Sequence, residues 1–318
     1  MFQLKHPRPL HQGSRIAIVS PASKIAPQLV WNAAEVLEAE GFQPIVMPHA
    51  VGECGSFSAS ADDRLQDVSM ALSDSTIDAI LCSRGGYGAV HLLNALDKLP
   101  AEQFDKWLIG FSDVTALHCL WQRKGMASLH AAMAKYIGRH REFECYDNEM
   151  AVLRGAEIQY SVEPHVYNVS GEASGVVVGG NLAVFGGLIG TPYDPFETTF
   201  TAERIESGDV EKPLLFIEDV AEPIYKVERQ LWQLRLRGVF NRVAGVLVGQ
   251  FTEYHPSVDH RDMEAMMTRF FADLRAHGCE IPVAFGLPFG HIEANRPLML
   301  GREAIVKIGV DGTTFVQK

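Results

Sequence analysis

The chain is poor in the features that announce several common functions. Its five cysteines, Cys54, Cys82, Cys119, Cys145 and Cys279, are odd in number, and no two are spaced as Cys-x-x-Cys. Neither a disulfide framework nor a zinc-finger set is written into it, and the cysteines read as small buried apolar residues in a reducing compartment. There is no run of Lys or Arg, and the formal charge is −11. That balance argues against nucleic acid or an anionic membrane as partner. No apolar stretch approaches the roughly 20 residues of a membrane span. The first one, Ile16 to Val19, is too short for a signal-peptide core although Lys5 and Arg8 precede it, so the cytoplasm is the expected location. His-Glu-x-x-His is absent, and His255 and His260 flank Asp259 without a ligand set, so no metal is expected there.

What is present alternates regularly. Arg15–Ser20, Gln43–Met47, Ile77–Cys82 and Lys106–Phe111 read as short apolar strands. Between them, Pro27–Glu40 forms a helix stopped by Gly41, Ser60 caps a second with Asp63 as capping-box partner and Leu65, Val68 and Leu72 as its stripe, and Tyr87–Leu96 forms a third. Strands separated by helix-length segments pair in parallel, which predicts an open, flavodoxin-like α/β sheet with its ligand crevice beyond the carboxyl ends of the strands. Ser83–Gly88 and Gly110–Asp113 both fall at those ends.

Near residue 145 the pattern changes. Glu142, Glu144, Asp147 and Glu149 cluster, and Pro164–Ser174 reads as a polar linker or an irregular strand pair. This places a flavodoxin-like domain over 1–150, a linker over 151–167 and a β-rich mixed domain over 168–318. The second domain has strands Gly175–Val178, Pro213–Ile217, Ala244–Gln250 and Ala304–Val310. It has one clear helix, Lys226–Arg237, whose apolar face comprises Val227, Leu231, Leu234 and neighbouring Trp232.

Three places carry candidate chemistry. After strand 106–111, Val114, Leu117, Leu120 and Trp121 recur at helical spacing, so Ser112 sits on a strand-to-helix turn where a hydroxyl projects and helix N–H groups point toward an oxyanion. The second glycine of Gly-x-Ser-x-Gly is missing, since position 114 is Val; a plain Ser or Asp helix cap fits the same residues. Ser83-Arg-Gly-Gly-Tyr-Gly88 frees backbone N–H groups for an anion or an oxyanion. Its spacing is that of neither Gly-x-Gly-x-x-Gly nor a P-loop, and a tight turn explains it equally. Arg84 has the fork to bind a carboxylate, or it is a surface salt-bridge partner. Glu218 and Asp219 end an apolar strand, and His291 stands in the Gly/Pro-punctuated loop Gly286–His291. A Ser–His–carboxylate set is recognised by geometry, so spacing leaves these residues unpaired.

In combination these motifs are familiar. Arg84-Gly-Gly-Tyr-Gly88, Gly110-Phe-Ser-Asp113, Gly179-Gly-Asn-Leu182 with Gly190-Thr-Pro192, Ile217-Glu-Asp219 followed by Val227-Glu-Arg229, and Gly286-Leu-Pro-Phe-Gly-His291 occur in one order. In that order the chain resembles the LD-carboxypeptidase family from about Arg15 to its end. The resemblance implies a cytoplasmic, homodimeric serine peptidase that needs neither metal nor organic cofactor. Ser112 matches the nucleophile, His291 the base, Glu218 the triad carboxylate, and the N–H groups of Gly86 and Asp113 the oxyanion hole. The implied substrate is a murein tetrapeptide, cut between the L-centre of diaminopimelate and terminal D-alanine during cell-wall recycling. Arg84, with Gly85 and Tyr87 beside it, is the candidate for binding the terminal carboxylate. Two other readings stand. One is the related microcin-immunity branch, hydrolysing an aminoacyl-nucleotide toxin with an aromatic residue (Trp121, Trp232 or Tyr193) stacked on the base. The other is a non-catalytic two-domain small-molecule binding protein.

Overall fold

The computed structural model describes residues 4–139 and 144–317, without the side chain of Glu144. Glu142 of the acidic cluster lies outside the described residues. The chain forms two compact units: Leu4–Ala156 with Glu293–Gly301, and Glu157–Ile292 with Arg302 onward.

The first unit is built on β1 (Arg15–Val19), β2 (Gln43–Val46), β3 (Ala79–Cys82), β4 (Trp107–Gly110) and β5 (Ser128–His130). β3 and β4 are buried along their whole length, as strands covered by helices on both faces must be. The order β2-β1-β3-β4-β5, parallel throughout, is the flavodoxin-like arrangement. Ser60 caps the helix Ala61–Ser73 by accepting from the Asp63 N–H at 3.2 Å. The helix expected from Tyr87 begins two residues later, as a 3-10 turn over Ala89–Leu92 that runs into Leu93–Leu96. Gly88 holds φ at +119°, outside helical space, and ends the glycine loop there. A further strand, Leu298–Leu300, pairs antiparallel with β5 at the sheet edge.

The second unit holds β6 (Ile158–Val162), β7 (Gly171–Asn181), β8 (Leu214–Val220), β9 (Gly245–Thr252) and β10 (Val283–Ala284). After Leu298–Leu300, which is β11 in chain order, come β12 (Glu303–Gly309) and β13 (Gly312–Gln317). The order is β10-β9-β8-β7-β12-β13-β6, parallel from β10 to β7 and antiparallel from β7 to β6. β12 alternates buried and exposed residues, the mark of a half-solvated antiparallel strand. Residues read as linker thus include a whole strand, β6, and Gly171–Ser174 belongs to a β7 far longer than the expected Gly175–Val178.

Helices are also more numerous than expected here. Besides Ile224–Leu236, a 14-residue helix spans Met263–Ala276, capped by Asp262 through the Ala265 N–H at 2.7 Å and buried along Met263, Met266, Met267, Phe270, Phe271 and Leu274. Trp232 is not on the buried face: Ile224, Val227, Leu231 and Leu234 form that stripe, while Trp232 is 41% exposed and packs edge-on against Phe270. Cys82, Cys119 and Cys145 are buried as read, but Cys54 is exposed and Cys279 half-buried. Among the described residues no helix is long and apolar enough to cross a membrane.

Candidate active site

In the first unit, β4 ends at Gly110 and the chain turns through a 3-10 turn, Ser112–Val114, into the helix Thr115–Arg123. Ser112 sits at φ +65°, a left-handed conformation costing a non-glycine residue about 1–3 kcal/mol. Such strain is retained where the turn must present its side chain. No side-chain cap closes this turn, so the helix-cap reading of Ser112 is replaced by a strained, half-buried serine at the strand end. His118, fully buried, ties the helix to the strand: its Nε2 lies 2.9 Å from the Gly110 carbonyl and its Nδ1 2.8 Å from Ser128 Oγ. Burial pushes its pKa down to about 4, so the ring is neutral. In the tautomer that satisfies both contacts, Nε2–H donates to Gly110 and Nδ1 accepts from Ser128. Nothing in the sequence singles out His118, which is one of several polar residues, with Thr115, Gln122 and Arg123, in this helix.

The glycine loop packs on this turn. A Cβ at Gly85 would lie 2.7 Å from Ser112 Cβ, 2.8 Å from Ser112 Oγ and 3.3 Å from Asp113 N. Only glycine permits that approach. At Gly86, φ is +104° and a Cβ would lie 2.3 Å from Ser23 Oγ, the atom that accepts the Tyr87 N–H at 3.1 Å. Gly85, Gly86, Ser112 and Asp113 are therefore gathered in one unit. The Asp113 N–H is among the donors that a first helical turn leaves without an intrahelical acceptor, while its carboxylate turns back to accept the Ala89 N–H at 2.8 Å. Burial raises the Asp113 pKa, opposed by His91 and Arg64. Arg84 donates Nη1 to the Lys24 carbonyl at 3.0 Å, with a buried Nε that has no partner among the described residues. Tyr87 is 58% exposed.

The second unit brings Glu218 and His291 together. A register shift falls opposite Glu218: Ile217 pairs with Val248 and Asp219 with Phe251, so Glu218 alone faces two residues of β9, Gly249 and Gln250. Glu218 is fully buried, and His291 Nδ1 lies 2.7 Å from its Oε2. With the proton on Nδ1 donated to Glu218, Nε2 carries the ring's basic lone pair. Gly290, at φ +123°, lets the histidine loop pass over the carboxylate, since a Cβ there would lie 2.9 Å from Glu218 Oε2. The loop is laid along β9: the Gln250 N–H donates to the Phe289 carbonyl at 2.8 Å and Thr252 Oγ1 to the His291 carbonyl at 3.3 Å.

Asp219, the other acidic candidate, has a different task. It accepts Asn181 Nδ2 at 2.8 Å and the Ala183 N–H at 2.9 Å, while Asn181 Oδ1 caps the helix Leu182–Leu188 through the Val184 N–H at 3.2 Å. Burial, with Glu218 adjacent, pushes Asp219 up to about 7. Of the remaining candidates, His260 is held by Glu228 at 2.9 Å and Arg269 at 2.7 Å. Trp121 is buried against Phe104 with its N–H on the Lys106 carbonyl, and so presents no face for stacking. Tyr193 is 7% exposed.

Comparison with known proteins gives the family and the fold. Residues 16–131 match the LD-carboxypeptidase N-terminal domain and residues 174–306 the LD-carboxypeptidase C-terminal domain. A Streptomyces coelicolor protein named "Putative carboxypeptidase" is 32% identical over 299 residues, covering 92% of this chain and 90% of its own. The murein tetrapeptide carboxypeptidase of Pseudomonas aeruginosa is 27% identical, covering 92% of this chain and 93% of its own. In fold, the chain is similar to muramoyltetrapeptide carboxypeptidase from Oxalobacter formigenes, with a TM-score of 0.81 at 24% identity over 96% of this chain and 98% of that one. It is similar also to the microcin C7 self-immunity protein MccF, with a TM-score of 0.81 at 20% identity over 98% of each chain. The chain belongs to the LD-carboxypeptidase family and is an enzyme, a carboxypeptidase of the serine type.

Proposed function

We propose that the chain releases the terminal D-alanine of murein tetrapeptides through Ser112, His291 and Glu218. The observation that carries this reading is the strained Ser112 at the end of β4, with Gly85 packed against its hydroxyl. The Glu218–His291 contact at 2.7 Å supports it from the second unit. His291 Nε2 takes the Ser112 proton, and Ser112 Oγ attacks the carbonyl on the L-centre of diaminopimelate. Glu218 holds the imidazole in that tautomer and stabilises its cation. The N–H groups of Gly86 and Asp113 receive the oxyanion, D-alanine leaves with the proton from His291, and His291 then activates the water that releases the acyl group. Arg84, anchored through Nη1 on Lys24, is the proposed partner of the substrate's terminal carboxylate. Homodimer assembly and a cytoplasmic location belong to the same reading, the first open to sedimentation analysis.

The test is D-alanine release from a murein tetrapeptide by the wild-type chain and by Ser112→Ala, with an all-L peptide as control. Release by wild type alone, and from the tetrapeptide alone, is the expected outcome. Normal turnover by Ser112→Ala overturns the nucleophile. Cleavage of an aminoacyl sulfamoyl nucleoside in place of the tetrapeptide moves the activity to the microcin-immunity branch.

A further inference from the structure

Arg64 lies 2% exposed in the first unit. Three of its partners are backbone carbonyls. Its Nη1 donates to the Gly88 carbonyl at 3.1 Å and to the Pro21 carbonyl, its Nε donates to the Ala59 carbonyl at 3.3 Å, and Nη2 stands 3.3 Å from His91 Nδ1. The guanidinium also lies 4.6 Å from the centre of the Phe57 ring. A buried cation spending its donors on loop carbonyls is a costly device for fixing a backbone.

The backbone it fixes is that of the glycine loop. The Gly88 carbonyl and the Ala89 N–H are two ends of one peptide unit. Arg64 donates to the first at 3.1 Å, and the Asp113 carboxylate accepts from the second at 2.8 Å. A planar, polar group is thus gripped by a cation at its negative end and an anion at its positive end. The same Arg64 holds Pro21, two residues before Ser23, whose hydroxyl receives the Tyr87 N–H and abuts Gly86. Asp113 is the residue after Ser112, so its side chain reaches from the nucleophile turn to the far end of the loop.

We infer that Arg64 and the Asp113 carboxylate are positioning residues that hold the 88–89 peptide, and with it the loop carrying the Gly86 N–H, in register with Ser112. The inference rests on the proposed role of Gly86 and Asp113 N–H groups as oxyanion donors. Asp113 then serves that site twice, with its backbone as a donor and with its side chain as the tie to the other donor's loop.

The experiment compares wild type, Arg64→Met, Arg64→Lys, Asp113→Asn and the Arg64→Met/Asp113→Asn double variant. It reads kcat and KM for D-alanine release and, separately, the rate of Ser112 labelling by a fluorophosphonate. The phosphonyl oxygen draws on the same donors without needing the peptide. Donors drifting by a fraction of an ångström should lower kcat about 10- to 100-fold with KM within about threefold, and slow labelling in parallel. Arg64→Lys should recover at least about fivefold of the Arg64→Met loss, because it restores a cation but not the fork. The double variant should be little worse than the poorer single one, since both act on one peptide.

The inference is overturned if folded Arg64→Met and Asp113→Asn turn over and label within about twofold of wild type, or if the loss lies wholly in KM. It is overturned also if the two losses multiply. Should Arg64→Met fail to fold, Arg64→Lys and Asp113→Asn decide by the same criteria. Wild type that labels at Ser112 but releases no D-alanine sinks the substrate assignment while leaving the labelling arm to judge the positioning; wild type that does not label sinks both.

Discussion

Gly85→Ala is the sharpest test of the nucleophile turn. Gly85 is not among the residues with positive φ, so alanine meets no backbone penalty there and the effect is steric alone. The added methyl would lie 2.7 Å from Ser112 Cβ and 2.8 Å from Ser112 Oγ. Carbon atoms rest comfortably about 3.5–4.0 Å apart, so close to 1 Å has to be found. No flexible side-chain tip is available to give way. Ser112 Cβ is fixed by a turn that is already strained, and the loop is held at Ser23 and Ala89. Displacing a reacting group by ~1 Å costs roughly a hundredfold in rate, or about 2.7 kcal/mol of activation free energy. Overpacking of this kind costs about 1–3 kcal/mol of stability, which a protein of this size can absorb. The assays are the rate of D-alanine release, the fluorophosphonate labelling rate and a thermal melt. A Gly85→Ala protein with release and labelling both within threefold of wild type would refute the claim that this glycine exists to let the loop meet the nucleophile.

Three other outcomes follow from the same structure. Gly187 lies in the helix Leu182–Leu188 with nothing within 4 Å of a Cβ placed on it, so Gly187→Ala should stabilise by about 0.5–1 kcal/mol, and a lowered melting temperature would count against it. Glu218→Gln removes the charge that His291 Nδ1 faces at 2.7 Å, and should lower kcat by about 10²- to 10⁴-fold with little change in KM; a loss under tenfold would remove Glu218 from the triad. Glu149 is buried, accepts the Ala132 N–H at 3.1 Å and has an Oε1 without a partner among the described residues. Burial raises its pKa from 4.5 to about 8. The folded state therefore favours the protonated acid, and the stability this gives is complete below about pH 4.5 and declines as pH rises through about 8. At pH 7 the decline amounts to roughly 3 kcal/mol. Urea unfolding should show the stability of Glu149→Gln gaining on wild type between pH 5 and pH 8; a difference that does not change with pH would contradict the assignment.

Much of the first unit could be read from the sequence because fully apolar runs at helix-length spacing leave few topologies open. β7 could not. Its glycines interrupt the apolar pattern where neighbouring backbone comes closest: a Cβ at Gly175 would meet the Lys212 carbonyl at 2.3 Å, and one at Gly179 the Phe216 carbonyl at 2.0 Å. The strand read from the sequence therefore starts only at Gly175 and stops before Gly179, because the reason for those glycines lies in the neighbouring segment 212–216. The helix Met263–Ala276 carries a clear stripe, yet its cap, Asp262, stands in a polar stretch that drew attention as a histidine cluster. At the site, Ser112 was legible through the change of period around it. The pairing of His291 with Glu218 across 73 residues was not, and only the family resemblance suggested it. Arg64 and His118 were invisible for a plainer reason: Arg64 depends on the Pro21 and Gly88 carbonyls and His118 on the Gly110 carbonyl and the Ser128 hydroxyl, partners that leave no trace in residue type.

The edge strand Leu298–Leu300 has a consequence for how this protein is made. Residues 293–301 belong with the first unit while their flanks on both sides belong with the second, so among the described residues the polypeptide passes between the two three times. During synthesis β5 emerges early, but the segment that covers its outer edge leaves the ribosome some 170 residues later, after nearly all of the second unit. At about 5–20 residues per second that edge stays bare for roughly ten to thirty seconds. An uncovered strand is a template for the wrong partner. A fragment ending before Glu293 would carry that exposure permanently, which makes the obvious two-piece dissection of this chain a recipe for aggregation.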